Sequence, residues 1–379
     1  MARLNEICSL NMGQSPDSSS YNKNGDGLPF FQGNADFGVL HPKARVWCNA
    51  PTKIAHTGDV LISVRAPIGA MNIADRECCI GRGLAALTVD KTICDSGYLW
   101  YAIDNKVDEL NAKGTGSTFK AISKNVLGET EIPLPSLNKQ QQISAILDKV
   151  TSLIFLRKQQ LAKLDELVKA QFVEMFGDML LNPLPWPERR LETMADIVSG
   201  ITKGRKTQST DLFEVPYMAV SNVKDGYIDW TTVKTIMATQ SEIDQYRLLP
   251  NDVLMTEGGD PDKLGRGAII REPQENCIHQ NHIFRVRLNK SAILPEFFAE
   301  YLQHQKAKRY FLRCAKQTTG IASINMKQLR ALPVSVPPID NQEGFADFVR
   351  EVARQKLTIQ QSLDKLIILK KSLMQEYFG

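Results

Sequence analysis

The sequence lacks the features that mark a secreted, membrane-spanning or zinc-binding protein. Its seven cysteines are scattered and form no C-x-x-C pair, which indicates reduced thiols rather than a disulfide framework. No apolar run approaches the roughly 20 residues of a membrane span, and the N-terminal segment has no charged-then-apolar signal pattern. These absences predict a cytoplasmic protein that does not contact a membrane.

A strong charge imbalance is also lacking. The 379 residues include 46 lysines and arginines against 42 aspartates and glutamates, which leaves a net charge of +4. This excludes a histone-like polybasic protein. It does not exclude a DNA-binding protein with local basic faces, because non-specific affinity depends on clustered lysine and arginine. The length suggests two or three domains, each large enough to bury its own core.

Catalytic and metal-binding motifs are missing as well. There is no G-x-x-x-x-G-K-[ST] phosphate-binding loop. The segment Asn182-Pro183-Leu184-Pro185 lacks the aromatic residue that would stack on a flipped base in an amino-methyltransferase. Cys277, His279 and His282 are close in sequence but lack a fourth zinc ligand. The sequence therefore predicts no catalytic residues, no metal site and no cofactor bound by this chain.

The chain contains a long internal repeat. The order of the matching segments never breaks, and the offset between them grows only through small insertions. The matches are Arg3-Leu4 with Arg190-Leu191, Asp59 with Asp252, Cys79-Ile80 with Cys277-Ile278, and 122–135 with 324–337. Each copy is too long for a solenoid repeat of roughly 20–50 residues. We therefore expect a tandem duplication of a whole domain with an attachment.

The first part of each copy is rich in predicted strands. Val60–Val64 and Val253–Met255 are short apolar runs after a turn, and His282–Leu288 alternates as a half-buried strand does. Helical stretches such as 96–103 and 295–313 interrupt the strands. The predicted fold class is α+β, with two tandem mixed α/β domains at 1–137 and 181–338.

The second part of each copy predicts a long helix, over 138–180 and 339–379. Asn138 and Asp340 each precede a Gln or Glu by three residues, which is a capping-box pattern. Apolar residues then recur in heptads, with a break at Arg157. The predicted seam consists of Ile143, Leu147, Val150, Ile154, Leu161 and Leu164 in the first helix and Phe345, Val349, Val352, Ile359, Leu363 and Leu366 in the second.

An apolar stripe of this length needs a partner. We expect the two helices to pair with each other in antiparallel fashion, as a coiled-coil-like spacer between the domains. The alternative is that each helix packs flat on its own domain.

Several loops have the composition that DNA contacts require. They combine lysine or arginine for phosphates, amides and hydroxyls for base edges, and glycine for close approach. The K-x-T loop recurs in both copies, where Lys113-Gly114-Thr115 matches Lys316-Gln317-Thr318, and this recurrence strengthens the prediction. The candidate DNA-contacting residues are Arg82, Lys113, Ser117, Thr118, Lys120, Arg205, Lys206, Ser221, Asn222, Lys224, Gln280, Asn281, Lys316 and Thr318.

Three segments together resemble the specificity subunit of type I restriction-modification systems. They are VPYMAVSNVKDG at 215–226, KGTGSTFKAISKNVLGETEIPLPSLNKQQQISAIL at 113–147, and EMFGD at 174–178. The likeness spans nearly the whole chain, and the order of the motifs, present twice, is more specific than any one motif. The first copy departs from the pattern at Phe30–Gly38, where FFQGNADFG matches the S-N-x-x-D-G turn poorly.

The resemblance implies a pseudo-two-fold protein that recognises double-stranded DNA. Each domain would read one half of a split, asymmetric target, and the helices would set the gap between the halves. Two methyltransferase subunits would dock on the helices and carry S-adenosylmethionine. A restriction subunit that uses ATP and Mg could join. On this reading the chain is not an enzyme.

Two other readings remain open. The chain could be the recognition subunit of another modification or phage-defence system. It could also be a non-catalytic coiled-coil scaffold with two protein-binding heads.

Overall fold

A computed structural model describes residues 1–116, 120–205, 211–260, 264–318 and 321–379. The chain forms two compact units. Unit 1 contains Met1–Gln159 and Gln360–Gly379, and unit 2 contains Gln160–Ile359. The division between the units therefore falls inside both long helices, whereas the sequence suggested that the helices form separate segments.

Unit 1 combines short strands with helices. The strands are β1 (Ala2–Arg3), β2 (Cys8–Met12), β3 (Tyr21–Asn22), β4 (Leu28–Phe31), β5 (Trp47–Cys48), β6 (Ile54–Ala55), β7 (Val60–Ser63), β8 (Met71–Ile73), β9 (Cys78–Ile80), β10 (Leu84–Val89) and β11 (Glu131–Ile132). The helices are α1 (Leu4–Ile7), α2 (Ser96–Asp104), α3 (Val107–Lys113), α4 (Lys124–Gly128) and α5 (Leu137–Phe176), of which α5 continues into unit 2. Single 3-10 turns lie at Ser18–Ser20 and Asn34–Asp36.

Two sheets organise unit 1. One is antiparallel with the strand order β2-β10-β7-β8, and the other has the order β3-β5-β4-β9-β6, in which β4 and β9 run parallel. All four residues of β7 are buried, as expected for a short apolar run at the centre of a covered sheet. The largest core of the unit lies between the first sheet and the helices.

Unit 2 repeats this plan. Its strands are β12 (Glu188–Arg190), β13 (Ala195–Ser199), β14 (Phe213–Met218), β15 (Lys234–Ala238), β16 (Val253–Thr256), β17 (Gly258–Gly259), β18 (Gly267–Ile269), β19 (Ile278–His279), β20 (Ile283–Leu288), β21 (Lys316–Thr318), β22 (Ile321–Ser323) and β23 (Pro333–Ser335). Its helices are α6 (Gln240–Tyr246), α7 (Pro295–Gln303), α8 (Gln305–Cys314), α9 (Met326–Arg330) and α10 (Ile339–Phe378), of which α10 continues into unit 1. Single 3-10 turns lie at Leu191–Thr193 and Val220–Asn222.

The first sheets of the two units correspond strand by strand, and the second sheets share a parallel pair of strands. The order β13-β20-β16-β18 matches β2-β10-β7-β8, and the parallel pair β14-β19 matches β4-β9. The predicted duplication and the mixed α/β character of both copies are confirmed. The match of Cys79 with Cys277 was one residue out of register. Because Met218 pairs with His279 where Phe31 pairs with Ile80, the counterpart of Cys277 is Cys78.

A buried glutamine fixes the start of each long helix. The Gln140 side chain accepts a hydrogen bond from Asp95 N at 2.9 Å and donates to Ile93 O and Pro135 O at 3.0 and 2.8 Å. In unit 2, Gln342 accepts from Leu294 N at 2.9 Å and donates in the same pattern. Both glutamines have no exposed surface.

The predicted capping boxes at Asn138 and Asp340 were wrong. The helices begin one residue earlier, at Leu137 and Ile339, so both polar residues lie within the first turn. The domain itself holds each helix start, through the buried glutamine described above.

Within each unit, α5 and α10 run antiparallel. In unit 2, Phe345 near the start of α10 contacts Phe176 at the end of α5, with ring centroids 5.5 Å apart, and Lys356 Nζ lies 2.5 Å from Asp165 Oδ1. In unit 1, Ile143 and Leu147 share a core with Phe378. The predicted seam residues are buried at Ile143, Leu147, Val150, Phe345, Val352, Ile359 and Leu363 and half-buried at Ile154, Leu161, Leu164, Val349 and Leu366.

Candidate nucleic-acid interface

Four chain segments converge at the same place in each unit. We name this place the loop junction. In unit 1 it comprises 64–66, 81–83, 113–116 and 120–122, and in unit 2 it comprises 257–259, 280–282, 316–318 and 321–323. The junction lies where the central buried strand of the first sheet ends, β7 in unit 1 and β16 in unit 2.

Backbone hydrogen bonds hold the junction together in the same way in both units. Val64 N donates to Gly83 O, as Glu257 N donates to His282 O, both at 2.9 Å. Ile122 N donates to Val64 O at 2.9 Å, and Ile324 N donates to Glu257 O at 2.8 Å. Val64 and Glu257 therefore play the same part in the two units. Each bonds on one side to the turn that precedes β10 or β20, and on the other side to the end of the K-x-T hairpin.

The hairpin itself pairs with the strand end. In unit 2, β22 pairs with both β21 and β17, so that Ser323 faces Lys316 and Gly258. In unit 1, Ala121 bridges Thr115 and Arg65. Thr115 therefore occupies the ladder position of Lys316, whereas the sequence match had assigned that position to Lys113.

The unit 1 junction contains three of the predicted DNA-contacting side chains that the structure describes. Arg82 is exposed, and its backbone N lies 3.4 Å from Ser15 Oγ. Lys120 is exposed. Lys113 ends α3, where its ammonium group donates to Glu109 at 2.7 Å. The predicted Ser117 and Thr118 lie outside the described residues.

The unit 2 junction contains predicted DNA-contacting residues of the second copy. Asn281 is the structural counterpart of Arg82, since the matching backbone bonds place both one residue before Gly83 and His282. Gln280 Oε1 accepts from Val220 N at 3.3 Å, which brings the turn with Ser221 and Lys224 beside the junction. Ser221 and Lys316 are exposed and Lys224 is half-buried. Thr318 lies on β21, but its side chain is outside the described part of the chain.

Two predicted contacts do not fit this interface. Asn222 is fully buried: its Oδ1 accepts from Ala219 N, and its Nδ2 donates to Asp229 O and Thr232 Oγ1 at 2.9 and 3.0 Å. It therefore shapes the turn and cannot reach a base. Arg205 donates from Nε to Glu242 at 2.6 Å, so its charge is already paired. Lys206 lies outside the described residues.

Two of the three possible zinc ligands, Cys277 and His279, are buried, whereas His282 is exposed. His279 has no exposed surface, its Nδ1 lies 3.1 Å from Ile283 O, and burial lowers the pKa of its imidazole to about 3. Burial likewise raises the pKa of the Cys277 thiol to about 12, so it is not a thiolate at neutral pH. Among the described residues, no group of three or more His, Cys, Asp or Glu is placed to hold a metal ion.

The sequence did not point to Glu257 as an interface residue. It follows β16 directly, and its Oε2 lies 2.5 Å from Nδ1 of His282, which we had considered only as a zinc ligand. Arg65, exposed at the equivalent strand end of unit 1, was also missed. The signal for both was available in the alignment of the two copies, because each residue lies just beyond a matched strand.

The long helices expose apolar side chains. Their outward faces carry side chains of which two fifths or more of the surface is exposed, at Ile146, Leu153, Phe155, Leu156, Leu167 and Val173 in α5 and Leu357, Ile367, Ile368 and Leu369 in α10. Unit 1 also has an open cavity of about 550 Å³, lined by Ile154 and Lys158 of α5 and by Ile367 and Lys370 of α10. None of the described helices is long and apolar enough to cross a membrane.

The chain matches known proteins along its whole length. The family model described as "Type I restriction modification DNA specificity domain" matches residues 1–166 and again 183–367. Over 158 residues the chain is 41% identical to the putative type I restriction enzyme MjaX specificity subunit of Methanocaldococcus jannaschii, a match that covers 42% of this chain and 37% of the relative. Over 316 residues it is 23% identical to the type I restriction enzyme EcoKI specificity subunit of Escherichia coli K12, which covers 79% of this chain and 67% of the relative.

The fold is shared with a solved structure. The crystal structure of a type I restriction-modification system S subunit from M. genitalium superposes with a TM-score of 0.59 at 17% identity, covering 100% of this chain and 95% of that one. At this identity the likeness concerns the fold alone. The two matches to the family model together span most of the sequence. This chain therefore belongs to the type I restriction-modification DNA specificity family and contains its domain twice.

Proposed function

We propose that this chain reads a bipartite double-stranded DNA target, with one half-site for each unit. The observation that carries the proposal is the loop junction. The same backbone hydrogen bonds recur in both units, while the side chains on them differ, as with Arg82 and Asn281. A common scaffold with different side chains is what two domains need in order to hold two different half-sites in the same manner.

The chemistry of the junctions suits DNA. Exposed Arg82 and Lys120 in unit 1 and Lys316 in unit 2 supply positive charge for phosphates. The amides of Gln280 and Asn281 supply donors and acceptors for base edges. The junction lies at strand ends and short hairpins, where a few side chains can enter a groove without deforming the core.

The long helices are proposed to act as the ruler between the half-sites. Each has 40 residues, which corresponds to about 60 Å at 1.5 Å per residue. Each starts at a buried glutamine in one unit and ends in the aromatic core of the other, at Phe176 or Phe378. Helix length would then fix the number of base pairs between the halves.

The exposed apolar side chains of α5 and α10 are proposed as the docking surface for two methyltransferase subunits. Residues such as Leu156, Leu357 and Ile368 are exposed along both helices, and this number of exposed apolar side chains supports an interaction surface. The partner subunits would carry S-adenosylmethionine, and a restriction subunit would bring ATP and Mg. The chain itself would act in the cytoplasm as a non-catalytic subunit.

Methylation profiling tests this function. A host that expresses the chain with the methyltransferase gene beside it is compared with the same host lacking the chain, by long-read sequencing. We expect a bipartite methylated motif with a fixed gap only when the chain is present. Unchanged methylation would overturn the proposal and favour the scaffold reading.

A second experiment tests whether the length of the helices sets the gap between the half-sites. Removal of two helical turns within 147–164 should change the gap while leaving both half-site sequences alone. Altered half-sites with an unchanged gap would refute the ruler role.

A further inference from the structure

The two loop junctions differ at one pair of facing residues. Glu257 occupies the place of Val64, and His282 occupies the place of Gly83, because each pair is joined by the same 2.9 Å backbone hydrogen bond. In unit 2 the side chains meet as well, with His282 Nδ1 2.5 Å from Glu257 Oε2. In unit 1 the corresponding residues are an aliphatic side chain and a glycine. Unit 2 therefore has a carboxylate at a site where unit 1 has none.

The hydrogen-bond network assigns the direction of this pair. Asn281 Nδ2 lies 3.3 Å from His282 Nε2, so the amide donates and Nε2 accepts. This places the imidazole proton on Nδ1, from which it is donated to Glu257. The carboxylate is thereby held in one orientation through a single oxygen, Oε2.

The second oxygen of Glu257 has no hydrogen-bond donor among the residues that the structure describes, which leaves it to an external donor. Within the described ranges, the hydrogen bonds of the Glu257 side chain involve Oε2 alone. The side chains of Glu257 and His282 are 32% and 58% exposed. Gly259 follows two residues later, and a Cβ built there would meet nothing within 4 Å, which indicates open space at that position of the chain.

On the proposed function this edge faces DNA, where a carboxylate is costly. Exposed Lys316 lies on the same three-stranded sheet, since Ser323 pairs with both Lys316 and Gly258. A negative charge near phosphates weakens non-specific binding. A hydrogen bond accepted from a base offsets this cost, and the amino group that carboxylates accept from in the major groove is N4 of cytosine.

We propose that Glu257 reads the N4 amino group of a cytosine in the half-site bound by unit 2, with His282 as its positioning residue. This inference rests on the proposed function, since it names the chemistry of one base in one half-site. Unit 1 has Val64 and Gly83 at the equivalent positions and therefore contacts no base through a carboxylate there.

Base selectivity at a single position tests the inference. The whole chain, assembled with its methyltransferase partner, methylates a library in which every half-site position is randomised. We expect the wild-type half-site of unit 2 to include a cytosine. Glu257→Gln should lower the selectivity for that cytosine by about 10-fold, because a hydrogen bond to a charged acceptor is stronger than one to a neutral amide oxygen. All other positions, the other half-site and the gap should stay unchanged.

A matched control and a binding measurement separate this effect from misfolding. Glu272→Gln removes an exposed carboxylate beyond the opposite end of β18 and should leave the motif unaltered. Affinity of the assembled Glu257→Gln complex for non-specific DNA should equal or exceed that of wild type, because a negative charge has been removed. A misfolded unit 2 would instead lose affinity.

A double-substitution cycle tests the role of His282. His282→Ala should relax the same cytosine position, and adding Glu257→Gln should produce little further change, because the two residues act as one unit. His282→Gln, whose side-chain amide also donates, should restore part of the selectivity.

The outcomes distinguish the inference from the proposed function. If the wild-type complex methylates no bipartite motif, the proposed function itself is overturned. If a bipartite motif appears but Glu257→Gln retains full selectivity at every position, or relaxes the other half-site, the inference alone is overturned. A wild-type unit 2 half-site without cytosine would also overturn it.

Discussion

Units 1 and 2 share a backbone fold but differ in the side chains of their cores and junctions. At the helix ends the difference is in packing: Phe176 lies among Phe172, Phe297 and Phe345, with ring centroids 5.0–5.5 Å away. Its counterpart Phe378 packs on Tyr98 at 5.2 Å. At the helix starts the two units are alike, because Gln140 and Gln342 make the same bonds. Duplication has thus preserved the backbone anchors, while the cores and the junctions have diverged.

The difference shows which features a specificity protein of this kind keeps fixed. The hydrogen bonds that set helix direction and junction geometry are backbone bonds or bonds from a buried amide to backbone groups. Substitutions on the junction surface leave them intact. Each unit can therefore change its exposed side chains without altering the position of the helices, on which the gap between half-sites would depend.

The largest expected effect separates the two helix ends. Phe176→Ala should destabilise unit 2 by about 3–5 kcal/mol, because a fully buried phenylalanine leaves a cavity in an aromatic cluster. Phe378→Ala should cost less in unit 1, since that ring is 6% exposed. Hydrogen exchange followed peptide by peptide measures both units in the same chain. Equal losses at the two sites would show that the aromatic cluster adds nothing.

The next effect should be equal in the two units. Gln140→Ala in unit 1 and Gln342→Ala in unit 2 should each cost about 1–3 kcal/mol, because buried backbone groups lose their partners. Gln142→Ala, at an exposed position in the same turn, is the control and should change stability by less than about 0.5 kcal/mol. Denaturant unfolding combined with hydrogen exchange assigns each loss to its unit. A cost confined to one unit would contradict the equivalence of the two anchors.

Local patterns in the sequence were sufficient for the plan of the fold. The repeat, the strand-rich domains and the long helices follow from periodicity and turn chemistry. The side-chain partners did not follow, because they are distant in sequence. Arg205 and Glu242 are 37 residues apart, and Glu257 and His282 are 25 apart.

Two other errors have local causes. Asn222 was assigned to DNA because asparagine reads bases, but an asparagine in a turn equally satisfies nearby backbone groups, and here it does. The cysteine match slipped by one residue because Cys78 and Cys79 are adjacent and sequence alone does not say which of them corresponds to Cys277. Strand pairing identifies Cys78.

Low pH should destabilise unit 2 more than unit 1. His279 lies where unit 1 has Ile80, and burial lowers the pKa of its imidazole from 6.5 to about 3. Below pH 6.5 the imidazole of His279 therefore binds a proton in the unfolded chain but not in the folded unit. Stability is fully present above pH 6.5 and falls as the pH drops toward 3. Between pH 7 and pH 5 this histidine should cost unit 2 about 2 kcal/mol.

Substitution of His279 tests whether this residue causes the acid sensitivity. His304, whose pKa burial also lowers, adds to the acid sensitivity of unit 2 in the same direction. His279→Leu should therefore flatten most of the slope between pH 5 and pH 7 in unit 2 and leave unit 1 unchanged, as measured by hydrogen exchange at each pH. A slope that survives the substitution would assign the acid sensitivity to other groups.

The smallest effect concerns the lysines that the sequence had matched. Lys316 is exposed on the junction sheet of unit 2, whereas Lys113 is held by Glu109 at the end of α3. A lysine that contacts a phosphate releases a counterion, so its loss reduces the salt dependence of DNA binding by about 0.9 in the log–log slope. Lys316→Ala in the assembled complex should lower that slope by about this amount for every DNA sequence. Lys113→Ala should change it less, because its ammonium group is already paired with Glu109. Equal slopes for the two variants would mean that Glu109 releases Lys113 on binding and that both lysines contact phosphate.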